Sequence, residues 1–178
     1  MMTLDGFFEG PNREIDWHNV DNEFNEFAIE QLNNASVLIF GRITYELMAG
    51  YWPTSDALSD DPVVAEKMNS LPKIVFSKTL NNPGWNNTRL VRGDPEKVCR
   101  ELKEKNDKDI FIFGSAGLAS KFMHLGLIDE YRIMINPLIL GNGKPLFKQS
   151  GDRFLLKLIK SRKFRSGNVL LYYEPLMQ

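Results

Sequence analysis

Cysteine is almost absent from this chain. Cys99 is the only one among 178 residues. No intramolecular disulfide can form, and no cysteine zinc cluster can be built. Such sparing use fits a reducing compartment. Histidine is scarce as well. His18 and His124 lie far apart, and neither has a neighbour at metal-ligand spacing, so no metal is expected. No apolar run approaches the roughly 18 residues that a membrane span needs. The first residues show no basic segment followed by an apolar one, so no secretory signal is read. The expected location is therefore the cytoplasm. Net charge is −1, which excludes a general basic field for nucleic acid or an anionic membrane. There is no internal repeat, linker or low-complexity stretch. The length favours one domain spanning residues 1–178 with a sizeable core.

What is present is organised around Ile110–Gly126 (IFIFGSAGLASKFMHLG). Four apolar residues, Ile110 to Phe113, read as a strand buried on both faces. Gly114-Ser115-Ala116-Gly117 then turns the chain. Leu118, Phe122 and Leu125 follow at i, i+4 and i+7, a helical spacing. A glycine turn from a buried strand into a helix leaves backbone N–H groups free at the helix start, where the dipole also favours an anion. The stretch is read as a seat for a phosphate-bearing ligand such as a nucleotide. The spacing is Gly-x-x-Gly rather than a three-glycine fingerprint, and a plain strand-to-helix turn remains the alternative.

The rest of the chain alternates. Met1–Asn12 reads as a loop with turn signals at Asp5-Gly6 and Gly10-Pro11-Asn12. Val20–Asn34 has a helical apolar face, and acids in its first turn. Ser36–Phe40 is a strand, and Gly41-Arg42 leads from it into a helix through Met48. Tyr51–Asp61 reads as a loop and Pro62–Ser70 as a short helix with proline at its first position. Lys73–Ser77 and Thr88–Arg92 are strands. Asp94 caps a helix running to about Asn106, with Glu101 and Lys105 as a favourable i, i+4 pair. Cys99 lies in that helix and reads as packing. Asp129–Leu140 is a long strand ending at Gly141-Asn142-Gly143. Phe154–Phe164 and Asn168–Glu174 form a hairpin around Ser166-Gly167. This order predicts an α/β fold with a mostly parallel sheet covered by helices on both faces, and an antiparallel C-terminal hairpin added at its edge.

Three strand ends share a character. Phe40 is followed by Gly41-Arg42-Ile43-Thr44, Phe76 by Ser77-Lys78-Thr79, and Phe113 by Gly114-Ser115-Ala116-Gly117. In a parallel sheet these ends lie on one edge, where open α/β folds bind ligands. Arg42 and Lys78 supply positive charge, while Thr44, Ser77 and Ser115 supply hydroxyls. The set suits a dinucleotide, although each cation alone also reads as a solvated surface charge.

Several stretches together resemble the dihydrofolate reductase superfamily. They are Thr3–Gly6 (TLDG), Phe40–Glu46 (FGRITYE), Lys73–Leu80 (KIVFSKTL), Phe113–Leu118 (FGSAGL) and Asn136–Phe147 (NPLILGNGKPLF). The resemblance is nearest to the bacterial branch that includes the C-terminal reductase of the bifunctional riboflavin-biosynthesis deaminase-reductase. It implies a three-layer dihydrofolate reductase-like fold and a reductase using NADPH. By position, Gly41, Arg42 and Thr44 resemble residues at the cofactor phosphates, with Arg42 near the 2′-phosphate. Ser77 and Lys78 match the segment at the adenosine end. Gly114, Ser115, Ala116, Gly117 and Leu118 match the loop along the pyrophosphate and nicotinamide. Thr3–Gly6 correspond to the loop leading past the nicotinamide. The preference for NADPH over NADH rests on Arg42 and Lys78.

The resemblance also implies a homodimer, with the terminal strands as candidate interface. The alternative there is a lone edge guarded by Lys157, Lys160 and Lys163. Family members carry a strand of about half a dozen residues before the TLDG-like turn. This chain begins almost at that turn, so either a segment lies upstream of Met1 or the fold manages without most of that strand. Dihydrofolate reductases place a carboxylate on the first helix, facing the pterin. Asp21 and Glu23 are the candidates here, with Asp5 a third catalytic candidate. Asp21 and Glu23 equally suit a helix start, and Asp5 a turn. Trp17 either lines a substrate cleft or closes the core. The resemblance implies hydride transfer to a small heterocyclic or sugar-derived substrate, such as 5-amino-6-(5-phosphoribosylamino)uracil. Dihydrofolate reduction is one alternative. A nucleotide-binding or assembly protein that kept the fold without catalysis is another.

Overall fold

The computed structural model describes residues 1–147 and 153–176. In chain order its elements begin with β1 (Met2–Thr3), β2 (Phe7–Glu9), α1 (Asn22–Asn33), β3 (Ala35–Gly41) and α2 (Arg42–Tyr51). Next come α3 (Ser55–Asp60), α4 (Pro62–Ser70), β4 (Lys73–Phe76), β5 (Thr88–Val91) and α5 (Pro95–Lys105). The chain ends with β6 (Asp109–Ile112), α6 (Ala116–His124), β7 (Tyr131–Asn136), β8 (Lys144–Pro145), β9 (Leu156–Lys163) and β10 (Val169–Pro175). These fall into two compact units. One is contiguous, Asn25–Leu125, and the other joins both chain ends, Met1–Phe24 with Gly126–Gln178.

The contiguous unit holds a four-stranded sheet in the order β5-β4-β3-β6, parallel throughout. β3 is central and almost wholly buried, which is why Val37–Phe40 is apolar without alternation. Helices α2–α4 carry the chain from β3 to β4 and α5 from β5 to β6, while an irregular segment joins the parallel pair β4 and β5. Phe40, Tyr45, Met68, Val75 and Trp85 share one apolar core. Phe40 and Trp85 lie 5.9 Å apart between ring centroids, Tyr45 and Trp85 6.0 Å. The polar ends of this aromatic group are all satisfied. The Trp85 backbone N–H donates to the Tyr45 hydroxyl, and its indole Nε1 donates to Asn69 Oδ1 at 2.7 Å.

Lys73 is the unusual member of this core, only 1% exposed. Its Nζ donates to the carbonyls of Met68, Asn69 and Leu71 at 2.8, 3.0 and 2.7 Å, and lies 4.5 Å from the Trp85 ring centroid. These carbonyls sit at the end of α4, where a cation complements unpaired acceptors and the dipole. Burial pushes the ammonium down to about 8, which leaves it charged at neutral pH.

In the unit of the chain ends, the sheet order is β1-β7-β10-β9. β1 runs parallel to β7, pairing Met2 with Ile135 and Thr3 with Asn136, and the other pairs are antiparallel. Asn19 ties this unit together. Its backbone N–H donates to Asn136 Oδ1, its side chain donates to the Ser166 carbonyl, and its own carbonyl accepts from Asn168 Nδ2.

The mixed α/β architecture follows the sequence reading, with four refinements. The C-terminal hairpin joins β7 and β1 in a sheet of its own, not the edge of the parallel sheet β5-β4-β3-β6. Tyr51–Asp61, read as a loop, holds α3, whose start Thr54 caps through Oγ1 to the Ala57 N–H. Phe7–Glu9 is a short strand paired with Lys144–Pro145. The long strand expected over Asp129–Leu140 is confined to Tyr131–Asn136, and Pro137, which has no N–H to offer a ladder, follows at once. Among the described residues no helix is long and apolar enough to cross a membrane.

Two outcomes follow from these environments. Lys73→Met keeps length and removes the donor, leaving three acceptors without their ammonium. Urea unfolding should show a loss of about 2–4 kcal/mol. His18 stacks edge-on against Trp17 with ring centroids 4.5 Å apart, and its buried Nε2 has no partner among the described residues. Burial pushes its pKa down from 6.5 to about 4, so the folded state holds the neutral ring while the unfolded chain binds the proton. This contribution is complete above pH 6.5 and is lost as pH falls toward about 4. Stability curves for wild type and His18→Gln should therefore converge or cross by on the order of 2 kcal/mol across that window.

Candidate functional site

The C-terminal ends of β4, β3 and β6 are neighbours in one sheet. Gly41 pairs with Phe76 on one side, and Ile39 with Ile112 on the other. Beyond them the ladder continues through the Phe113 N–H to the Ile39 carbonyl, and the Gly41 N–H to the Gly114 carbonyl at 3.1 Å. Two helices start at this edge, α2 at Arg42 and α6 at Ala116. Their cap residues, Gly41 and Ser115, have extended backbones and neither caps the helix with a side-chain hydrogen bond. No acidic residue occupies the first turn of either helix. Two adjacent helix starts thus present N–H donors and positive dipole ends with no carboxylate competing in either first turn.

The glycines explain how these starts come so close. A Cβ on Gly41 would lie 2.6 Å from Ser115 Oγ, and one on Gly114 would lie 3.1 Å from Thr44 Oγ1. Each junction's glycine is filled by the other junction's hydroxyl. Gly114 also has φ +122, a conformation open to glycine, and the Gly114–Ser115 peptide is cis. Space beside Gly117 is open, with nothing within 4 Å of a built Cβ. Tyr45, in the first turns of α2, is anchored through its hydroxyl to Trp85, so the helix start is fixed from below as well.

Arg42 follows at the surface, paired with Glu46 at 2.9 Å. An exposed i, i+4 pair of this kind is worth only a few tenths of a kcal/mol. An incoming anion can take the guanidinium from it at little cost.

The β4 end is a tight turn. Ser77 Oγ accepts from the Thr79 and Leu80 N–H groups at 3.1 and 2.9 Å. Both lone pairs of the hydroxyl are then engaged, so its hydrogen is what it offers outward. Lys78 is exposed beside it. Sequence reasoning passed over Arg92, which donates to the Lys78 and Leu80 carbonyls at 3.1 and 2.7 Å. An exposed arginine after a strand carries no signal of its own in the sequence.

The ten residues expected around a cofactor therefore all lie in the contiguous unit, on one sheet edge. The three carboxylates and Trp17 belong to the unit of the chain ends. Asp5 accepts from Thr3 Oγ1 at 2.6 Å and from the Leu140 and Gly141 N–H groups at 3.1 and 2.8 Å. The Thr3 hydroxyl first, and then these amides, hold its carboxyl below the usual range. Asp21 caps α1 through the Phe24 N–H at 2.8 Å. Glu23 accepts from the Arg165 N–H at 2.8 Å and faces Arg162 at 3.5 Å. Trp17 Nε1 is buried without a partner among the described residues. No cluster of three or more potential metal ligands occurs among the described residues.

Comparison with known proteins places this architecture. The chain is 36% identical over 175 residues to the uncharacterized protein YyaP of Bacillus subtilis (strain 168), covering 97% of this chain and 90% of that protein. The crystal structure of a putative riboflavin biosynthesis protein from Shewanella sp. PV-4 superposes with a TM-score of 0.76 at 23% identity, covering 99% of this chain and 96% of that one. A Thermotoga maritima diaminohydroxyphosphoribosylaminopyrimidine deaminase/5-amino-6-(5-phosphoribosylamino)uracil reductase superposes with a TM-score of 0.68 at 17% identity. There the match covers 98% of this chain and 54% of the longer one. These neighbours share the dihydrofolate reductase-like fold. The model of the RibD C-terminal domain matches residues 1–170, and with that match over nearly its whole length the chain belongs to the RibD C-terminal domain family.

Proposed function

We propose that this protein is an NADPH-dependent oxidoreductase that reduces a small heterocyclic or sugar-derived substrate. The observation that carries the reading is the pair of adjacent, uncapped helix starts at Gly41-Arg42 and Ser115-Ala116. The residues fit a dinucleotide. N–H groups of α2 and α6 would hold the pyrophosphate. The open flank of Gly117 lets the ligand approach the backbone. Arg42, Lys78 and the Ser77 hydroxyl would face the adenosine end and its 2′-phosphate. Bound there, the nucleotide supplies the hydride, while the protein supplies orientation and excludes competing reactions.

For the substrate, the family context and the Thermotoga maritima neighbour favour a ribosylaminopyrimidine such as 5-amino-6-(5-phosphoribosylamino)uracil. Dihydrofolate is a weaker candidate, because Asp21 and Glu23 already serve a helix cap and two arginines. The same engagement of all three carboxylates supports a second reading, a nucleotide-binding protein without turnover. A cytoplasmic location accords with the single cysteine.

We also propose a homodimer through β9, the terminal strand of its sheet. Pairing with β10 shifts between Tyr172 and Tyr173, so Ile159 has no Cα partner of its own. Leu158 and Ile159 are 51% and 41% exposed on this edge. A second copy would cover them, whereas Lys157, Lys160 and Lys163 would discourage looser association.

Fluorescence titration with NADPH and NADH tests the first proposal. NADPH should bind in the micromolar range. Arg42→Ala should weaken NADPH about 5- to 30-fold while changing NADH little, as expected for one charge-assisted phosphate contact. Gly41→Ala, whose methyl group must displace Ser115, should weaken both nucleotides by about tenfold or more. Absence of binding for both nucleotides would sink the reading, and tight binding without oxidation in the presence of any pyrimidine or pterin would favour the non-catalytic one. For the dimer, light scattering on Leu158→Lys/Ile159→Lys should report the monomer mass. An unchanged mass relative to wild type would remove β9 as the interface.

A further inference from the structure

We propose that Arg92 is a positioning residue for the adenosine end of the nucleotide: by bridging the carbonyls of Lys78 and Leu80, it fixes the turn that presents Ser77 and Lys78. The inference rests on the nucleotide-binding reading above and adds to it a residue from the neighbouring strand.

The turn after β4 has no regular structure of its own. Three things shape it. The Ser77 N–H donates to the Val91 carbonyl at 3.1 Å, which extends the β4–β5 ladder by one bond. The Ser77 hydroxyl gathers the Thr79 and Leu80 N–H groups from the inside. Arg92, the next residue after Val91, then takes the two carbonyls on the outside. Every polar backbone group named here is satisfied by Ser77, Val91 or Arg92. The brace depends on guanidinium shape. Two N–H groups of one rigid plane reach two carbonyls two residues apart, which a lysine ammonium on a flexible stem does not reproduce.

Both arginine contacts are at the surface. Water would satisfy the same carbonyls nearly as well, so the brace adds little to global stability. Its effect is on order. A turn held in one conformation delivers Lys78 and the Ser77 hydroxyl to a ligand without the ordering cost that a mobile turn would incur on binding. Arg92 acts through the turn, and its contribution should depend on Lys78 being there to position.

The test is a nucleotide titration on the full chain with Arg92→Ala, Arg92→Lys, Lys78→Ala and the Arg92→Ala/Lys78→Ala double variant, alongside thermal melting. Wild type should bind NADPH. Arg92→Ala should weaken NADPH about tenfold and NADH less, with little change in melting temperature. Arg92→Lys keeps the charge and loses the bridge, and should be nearly as weak as Arg92→Ala. In the Lys78→Ala background the Arg92→Ala cost should shrink to about twofold or less, the signature of coupled residues. Wild-type-like binding by Arg92→Ala, recovery by Arg92→Lys, or equal cost in both backgrounds would each overturn the positioning role. Failure of wild type to bind either nucleotide would instead remove the nucleotide reading itself, and this inference with it.

Discussion

The site depends on one close packing, in which two glycines are each filled by the other's neighbouring hydroxyl. Gly41 receives Ser115 Oγ, Gly114 receives Thr44 Oγ1, and the Gly41 N–H bonds the Gly114 carbonyl. This contact sets how near the α2 and α6 starts approach one another. It requires β3 and β6 to be adjacent and parallel, and so it depends on Val37–Ile39 and Ile110–Ile112 pairing in register. The apolar core beneath, from Phe40 through Tyr45 to Trp85, is what makes that register the stable one. The edge that carries both helix starts is therefore the outer end of a continuous chain of packing.

Below it the same logic uses polar groups. Lys73 places a cation inside the core at the end of α4, balanced by three carbonyls and an aromatic face. The arrangement fixes where α4 stops and β4 begins. It also orients Trp85 through Asn69, and Trp85 in turn carries Tyr45 of α2. A buried lysine is costly in isolation. Here it is the pin joining α4, β4 and, through Trp85, α2.

Much of this was legible in the sequence because it is local. Pro62–Ser70 was readable from its proline, and each strand–glycine–helix junction from its apolar run and turn residues. Gly41, Thr44, Ser77 and Gly114 were read from the strand ends and from the family resemblance. What was not legible is how distant residues use each other. Asp5 reads as a turn acid or a catalyst, and nothing near it in sequence shows that its carboxylate accepts from Leu140 and Gly141. Nor does anything beside Glu23 show that the Arg165 N–H, 142 positions away, donates to it. The α3 helix was hidden because Pro53 and the small polar residues around it read as a loop. Arg92 gave no sign at all, since its role lies in two carbonyls earlier in the chain.

The tether at Asn19 carries a consequence for the order of events during synthesis. Its partners Asn136, Ser166 and Asn168 leave the ribosome more than a hundred residues after it does, and β1 must wait equally long for β7. The contiguous unit has no such delay, since every strand of its sheet is available once Ile112 has emerged. The nascent chain can thus complete its parallel sheet while Met2, Thr3 and Asn19 still await their partners. Segments made before that sheet are then among the last to find their place.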